Sequence, residues 1–383
     1  VCFPLASRGG SRFHHRRRRA AGFASGTGPA RLPARMDWLN QLTPTQQFVF
    51  FSAVKALVAV VLLLSLVAYT VLAERKICAA IQDRIGPNRA GPWGLLQPAA
   101  DAVKAFLKED FVPAHVRKVY FWLAPALTMT PALLTIAVIP FGSTLGAQRM
   151  VLADLNVGIL YTFGIVSLGV YGIVLAGYAA NSKYPFLGGI RSSAQMISYE
   201  IAMGLSVVPV FLLVGSLNLG RVVEYQAGGL TDWLICKQPL AFAIFLAAAF
   251  AETNRLPFDL PEAEQELAGG YNVEYSSIKF AMFFLGEYAN MVAASAMLVT
   301  LFLGGWTLPW WGLNQPATTL AGGLAHLGIF LAKVLGMLVV FIWVRWMWPR
   351  FRFDQLMDLG WKRFLPLALA NVVVTATLLW ARA

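Results

Sequence analysis

Residues 236–303 read CKQPLAFAIFLAAAFAETNRLPFDLPEAEQELAGGYNVEYSSIKFAMFFLGEYANMVAASAMLVTLFL. Two apolar runs, 236–251 and 278–303, enclose a polar segment. Each run approaches the ~20 residues that cross a ~30 Å hydrocarbon layer. The segment between them carries Glu252, Asp259, Glu262, Glu264, Glu266 and Glu274, six of the chain's 19 acidic residues, against one base, Arg255. Crowded carboxylates repel, so some are expected to exchange protons near neutral pH. The stretch therefore predicts two membrane spans joined by a proton-handling loop.

The rest of the chain agrees with a membrane fold. Of 383 residues, 58% are hydrophobic and 13% charged, and the mean hydropathy is +0.62. A soluble protein exposes far more charge. In lipid a spanning backbone must satisfy its own hydrogen bonds, which selects an all-α bundle. The net charge of +12 includes eight arginines in residues 1–35, leaving +4 for the remainder. Such a balance needs no nucleic-acid partner. Cys2, Cys78 and Cys236 form no C-x-x-C pair, so the chain encodes neither an iron–sulfur site nor a structural disulfide. Of His14, His15, His115 and His326 only the last lies near a span, which excludes a haem held by two histidines of this chain.

Apolar runs recur near 48–73, 119–141, 157–180, 195–216, 236–252, 278–303, 325–347 and 363–381. The pattern predicts a polytopic bundle of about eight transmembrane helices, 236–252 being the shortest. Residues 36–383 are expected to form one membrane domain. Loops 73–118, 181–194, 253–277 and 348–362, with their flanking ends, hold 17 Lys and Arg, whereas the alternate loops and the C-terminus hold four. The positive-inside rule then places the acidic loop on the cytoplasmic or matrix side. Residues 1–35 are Arg-rich, acid-free and rich in Gly, Ser and Pro. Three readings stay open: a transit peptide, a basic disordered tail, or a start-site artefact upstream of Met36. The third is preferred, because those arginines would fall on the wrong side of the membrane.

Within the first loop, 95–109 has an apolar stripe at Leu95, Leu96, Ala99, Val103, Phe106 and Leu107. That spacing predicts a short amphipathic helix at the membrane surface. Glu200 and Glu287 lie inside the fourth and sixth runs, and Glu252 ends the fifth. An ionisable group in hydrocarbon is unfavourable by at least a few kcal/mol, so its default reading is functional. A buried ion pair that only fixes packing is the alternative. Tyr199, Tyr288 and Asn290 flank these glutamates and are expected to bridge them through water. Lys55 and Lys333 also fall within runs. Arg345, Arg350 and Arg352 sit among Trp346, Trp348, Phe351 and Phe353. That mixture fits an interfacial anchor or the lining for an amphiphilic head group.

Two stretches carry a family resemblance: ERKICAAIQDRIGPNRAGPWGLLQPAADAVK, with its continuation to Glu109, and AETNRLPFDLPEAEQELAGGYNVEYSSIKFA at 251–281; RWMWPRFRFDQLM also fits. The chain resembles the quinone-chamber membrane subunit, called H in bacteria, of proton-pumping NADH:quinone oxidoreductase, respiratory complex I. The resemblance covers about 36–383. Ala99 departs from it, standing where the family usually has a larger apolar residue. It implies that Glu74, Arg75, Arg84, Asp101, Arg345 and Arg350 line a quinone passage or its mouth. It implies that Glu200, Glu252, Asp259, Glu262, Glu264, Glu266 and Glu287 form a proton path linking quinone chemistry to pumping. This chain binds no cofactor or metal in that reading. Quinone is the substrate, and NADH, FMN and iron–sulfur clusters belong to partner subunits. The implied partners are peripheral-arm and antiporter-like membrane subunits and lipid, in a bacterial inner membrane rather than a mitochondrial one. The rivals are the equivalent component of a membrane-bound hydrogenase, a secondary ion-coupled transporter, and a passive anchor.

Overall fold

The computed structural model describes residues 43–145, 148–261, 264–310 and 312–382. The segment 1–35 and the boundary expected at residue 36 lie outside them. The chain divides into two units, Val1–Phe50 and Phe51–Ala383. The helices are α1 Pro44–Ile81, α2 Gln97–Leu107, α3 Lys118–Thr135, α4 Gly158–Ala179, α5 Lys183–Val214, α6 Leu219–Tyr225 and α7 Leu234–Lys237. They continue with α8 Pro239–Glu252, α9 Glu264–Leu267, α10 Ser277–Phe302, α11 Leu320–Met347, α12 Phe353–Asp358 and α13 Leu365–Arg382. A two-residue antiparallel pair, β1 Thr144–Leu145 and β2 Gln148–Arg149, turns the chain between α3 and α4.

Hydroxyls and prolines inside the apolar helices are accommodated locally. Thr128 and Thr135 in α3 each donate to the carbonyl four residues back, at 3.1 and 2.8 Å, so neither hydroxyl is left unpaired. The α5 helix stops at Gly215, whose φ of 70° is the left-handed cap that a residue without Cβ adopts readily. Small residues let helices approach closely, as expected where lipid supplies no hydrophobic drive between them. At Gly172 of α4 an added Cβ would stand 2.7 Å from the backbone N of Thr128.

Seven helical segments among the described residues are long and apolar enough to cross a membrane: α1, α3, α4, α5, α10, α11 and the joined α12–α13. The eighth expected span is α8, which has 14 residues. At ~1.5 Å per residue it is ~21 Å long, short of the hydrocarbon thickness. It packs among α5, α10 and α13, and Ala248, Ala249, Ala251 and Glu252 are buried. Its packed face lies against protein, while Leu240 and Ala243 stay exposed. The α12–α13 segment is continuous through a π-turn at Leu359–Phe364, where Gly360 lies against the Tyr199 ring.

The loops sort to two ends of the bundle. At one end Ser277 donates to the carbonyls of Ala105 and Lys108, both at 2.9 Å, and Arg191 meets Glu266 at 2.8 Å. There α2, the acidic segment and the start of α5 come together, and Arg350 reaches in from the loop after α11. At the other end Ser143 meets His326 at 2.8 Å, and Gln226 accepts from the backbone of Leu234 and Gly304 at 3.2 and 3.0 Å. This matches the two loop sets that basic-residue counting separates. The helix α8 joins the ends, since Gln238 donates to Thr375 at 3.0 Å while Glu252 opens into the acidic segment.

Candidate functional site

The acidic segment is seated on α5 by two features on one helix face, two turns apart. Gly188 leaves room for its backbone: a Cβ there would come within 3.0 Å of the Pro261 carbonyl oxygen and the Tyr271 nitrogen. Two turns on, the buried Gln195 amide donates to the carbonyls of Ala251 and Phe258 at 2.8 and 2.7 Å. Asn254, Ala268, Gly269 and Gly270 take positive φ, which folds the segment back on itself.

The fold turns Arg255 inward. Its Nη1 lies 3.2 and 3.3 Å from the two carboxylate oxygens of Glu74 on α1, and its Nε lies 2.7 Å from Glu287 Oε1 on α10. The Glu287 contact is an ion pair without a hydrogen bond from that N–H, because the N–H points aside. Tyr288 donates to Glu74 at 2.8 Å, and its ring lies 4.2 Å under the guanidinium. Arg345 of α11 also contacts Glu74. Glu74 and Arg255 are each only 5% exposed. Burial works against the Arg255 charge, but Glu287, Tyr288 and Glu74 together hold its pKa above the ordinary value. Two acids and two bases thus meet in one buried network drawn from three membrane helices and one loop.

Beside this network Arg350 donates to Asp259 at 2.7 Å. Burial raises the Asp259 pKa, with Arg350, Arg345 and Arg255 opposing. Glu266 pairs with Arg191, and Glu274 lies 3.6 Å from His115. Glu262 lies outside the described residues, and of Glu264 only its backbone at the start of α9 is described. The mutual repulsion expected of the loop is therefore not the arrangement found among its described surface acids. Each is drawn to a base from another element, which the local charge count did not reveal.

Glu252 is different. It is 6% exposed, its Oε2 has no hydrogen-bond partner among the described residues, and the charge acting on it is that of Glu200. A cavity lies between Glu252 and Glu287, lined also by Thr253, Asn254 and Asn290. The two tyrosines do not bridge these acids as expected. Tyr199 is fully buried and donates to the Leu356 carbonyl at 2.8 Å, and Tyr288 is committed to Glu74. Side chains one position apart on a helix point along divergent directions, so flanking in sequence is not facing in space.

The six residues assigned to a quinone passage do not form one cluster. Glu74, Arg345 and Arg350 join the buried networks. Arg75 and Asp101 form a separate surface pair at 2.7 Å, supported by Gln97 at 3.0 Å, which ties α1 to α2. The exposed Arg84 lies apart from both, its side chain donating to Gln82 at 2.7 Å. Residue-by-residue reading left Arg255 and Gln195 unassigned. Arg255 carried a signal, being the lone base in the acidic segment. Gln195 carried none, since its role depends on a fold-back unseen in local pattern.

The NADH dehydrogenase family profile matches residues 54–376. The second of the H subunits of NADH-quinone oxidoreductase in Koribacter versatilis is 48% identical over 345 residues, covering 86% of this chain and 97% of that protein. The NADH-quinone oxidoreductase H subunit of Paramagnetospirillum magneticum is 51% identical over 349 residues, 90% of this chain and 97% of its own. That of Rickettsia typhi is 51% identical over 329 residues, 86% and 93% of the two chains. With its multi-pass helical fold, the chain belongs to the NADH dehydrogenase family, as a membrane component of the H type in NADH-quinone oxidoreductase.

Proposed function

We propose that this chain helps form the quinone-binding passage of the enzyme and couples quinone reduction to proton translocation. One observation carries the reading: Arg255 joins Glu74, on the side expected to face quinone, to Glu287, on the expected proton path. A quinone that takes two electrons gains proton affinity. Charge that changes near Glu74 and Arg345 is felt by Glu287 through a shared, desolvated counter-ion, where coulombic interactions are far stronger than in water. Asp259 and Arg350 form a neighbouring ion pair at the same end of the bundle.

In this reading the passage residues are Glu74, Arg75, Arg84, Asp101, Arg345 and Arg350. The proton-path residues are Glu200, Glu252, Asp259, Glu262, Glu264, Glu266 and Glu287. Quinone is the substrate, while NADH, FMN and iron–sulfur clusters reside on partner subunits. Peripheral-arm subunits adjoin the acidic end, and antiporter-like subunits receive the coupled protons. The membrane is a bacterial inner membrane with the acidic end on the cytoplasmic side.

The test is Glu287→Gln in the assembled enzyme in native membrane vesicles. Quinone-linked turnover and proton pumping are expected to fall by about a hundredfold or more, the low end for losing a proton-transfer group. Unchanged turnover and pumping would overturn the proposal.

A further inference from the structure

Two cavities meet at one point in the bundle. The first is lined by Thr128, Asn254, Glu252, Thr253, Glu287 and Asn290, among others, and leaves about 20 Å³ for the centre of a water-sized sphere. That exceeds the ~10–15 Å³ a water needs. The second leaves about 40 Å³, with Phe163, Val166, Phe245, Ala249, Ala293 and Met297 in its wall. Glu252, Thr253 and Asn290 are common to both. A cavity with a largely polar wall and one with a largely apolar wall thus meet at Glu252, Thr253 and Asn290.

The polar cavity holds what a water requires, two to four polar partners. Glu252 Oε2 is buried and free of any partner among the described residues. Glu287 lines the same space, with one oxygen toward Arg255. Asn290 stands three residues after Glu287 on α10, hence on the same helix face. Its amide makes no hydrogen bond within the described chain, so its donor and acceptor are both available. Beyond the three shared residues, the second cavity's polar groups are Thr135 and Thr162, whose hydroxyls already donate to carbonyls of their own helices, so the rest of its wall offers water nothing and apolar cavities stay dry.

Building on the proposed function, we infer that Asn290 is a positioning residue that holds water between Glu252 and Glu287 and ends the hydrated region at the apolar cavity. An asparagine is suited to this place. It both donates and accepts, and it carries no charge that would compete with Arg255 for either acid. A proton passing from one glutamate to the other then crosses by water, one O–H bond breaking as the next forms, with the amide fixing the water's orientation.

An isosteric pair of variants separates polarity from volume. In assembled enzyme in membrane vesicles, Asn290→Thr is expected to keep proton pumping within about twofold. Asn290→Val is expected to lose at least about tenfold in coupled turnover, with an increased solvent deuterium effect and an unchanged KM for quinone. High-resolution electron microscopy of the wild-type complex should show ordered water touching Glu252, Glu287 and Asn290. Equal behaviour of the two variants, or no water density at that place, would overturn the inference. If Asn290→Val does not assemble, the wild-type density decides. Loss of activity in Glu287→Gln and Glu252→Gln with none in Asn290→Val would sink the role of Asn290 alone. No effect in any of them would sink the proposed function as well.

Discussion

Arg255 lies between Glu74 and Glu287, with Nη1 3.2 Å from the first and Nε 2.7 Å from the second. One loop residue therefore neutralises carboxylates on two membrane helices. Its removal leaves buried acids without their shared partner, a change of about 3–5 kcal/mol. Arg255→Met is expected to reduce the amount of assembled enzyme in membranes, measured by native gel. Arg255→Lys keeps the charge but not the fork that reaches both acids, and should fall between Arg255→Met and the unaltered enzyme.

Asp259 gives a pH signature. Burial raises its pKa above the usual 3.8 in the folded chain. A raised native pKa means the folded state binds the proton more tightly than the unfolded state. The associated stability is full below the unfolded value and is lost as pH rises through the native one. Thermal unfolding of the assembled enzyme, followed as pH rises from about 4, should carry this slope, and Asp259→Asn should flatten it. An unchanged slope in that variant would count against the assignment.

Gly188 tests the seat of the acidic segment. Alanine adds a Cβ 3.0 Å from the Pro261 oxygen and the Tyr271 nitrogen, and valine adds two methyls more. Backbone atoms cannot turn aside as a flexible side chain does. Gly188→Ala is expected to destabilise by about 1–3 kcal/mol and Gly188→Val by more. Limited proteolysis of the 253–276 segment in membranes measures the release.

Lys333 tests the reading of an intramembrane lysine as functional. Its Nζ donates to the carbonyls of Leu303, Gly305 and Thr307 at 2.7, 3.0 and 2.7 Å and lies 4.4 Å over the Trp233 ring. All three carbonyls belong to the end of α10 and the turn after it, so the contacts are those of a helix cap. Lys333→Met should lower stability by at least about 1.5–3 kcal/mol, while enzyme that assembles keeps its pumping stoichiometry. A stable complex with altered stoichiometry would give the lysine a place in the proton path instead.

The membrane bundle was legible because long apolar runs have one outcome in lipid. The two loop ends were legible because basic residues favour one side, and the structure groups the same loops. Helix α8 was readable in position but not in length, since an apolar run in sequence does not show where the helix starts and stops. Glu74, Glu252 and Glu287 were legible as isolated acids in apolar surroundings. Their partners were not. Arg255 reaches Glu74 across 181 positions and Arg345 reaches it across 271, separations that no local pattern encodes. The crowded loop misled for the same reason, because the bases that face its acids lie before α3, on α5 and beyond α11.

The central claim is that Glu74 and Glu287 act as one unit through Arg255. A double-mutant cycle measures this directly: coupled turnover and proton pumping of Glu74→Gln, Glu287→Gln and the double variant in membrane vesicles. Residues in one buried network are expected to show an interaction energy of about 0.5–3 kcal/mol. The account predicts a double variant little worse than the more impaired single one. Losses that simply multiply would show two independent sites and contradict it.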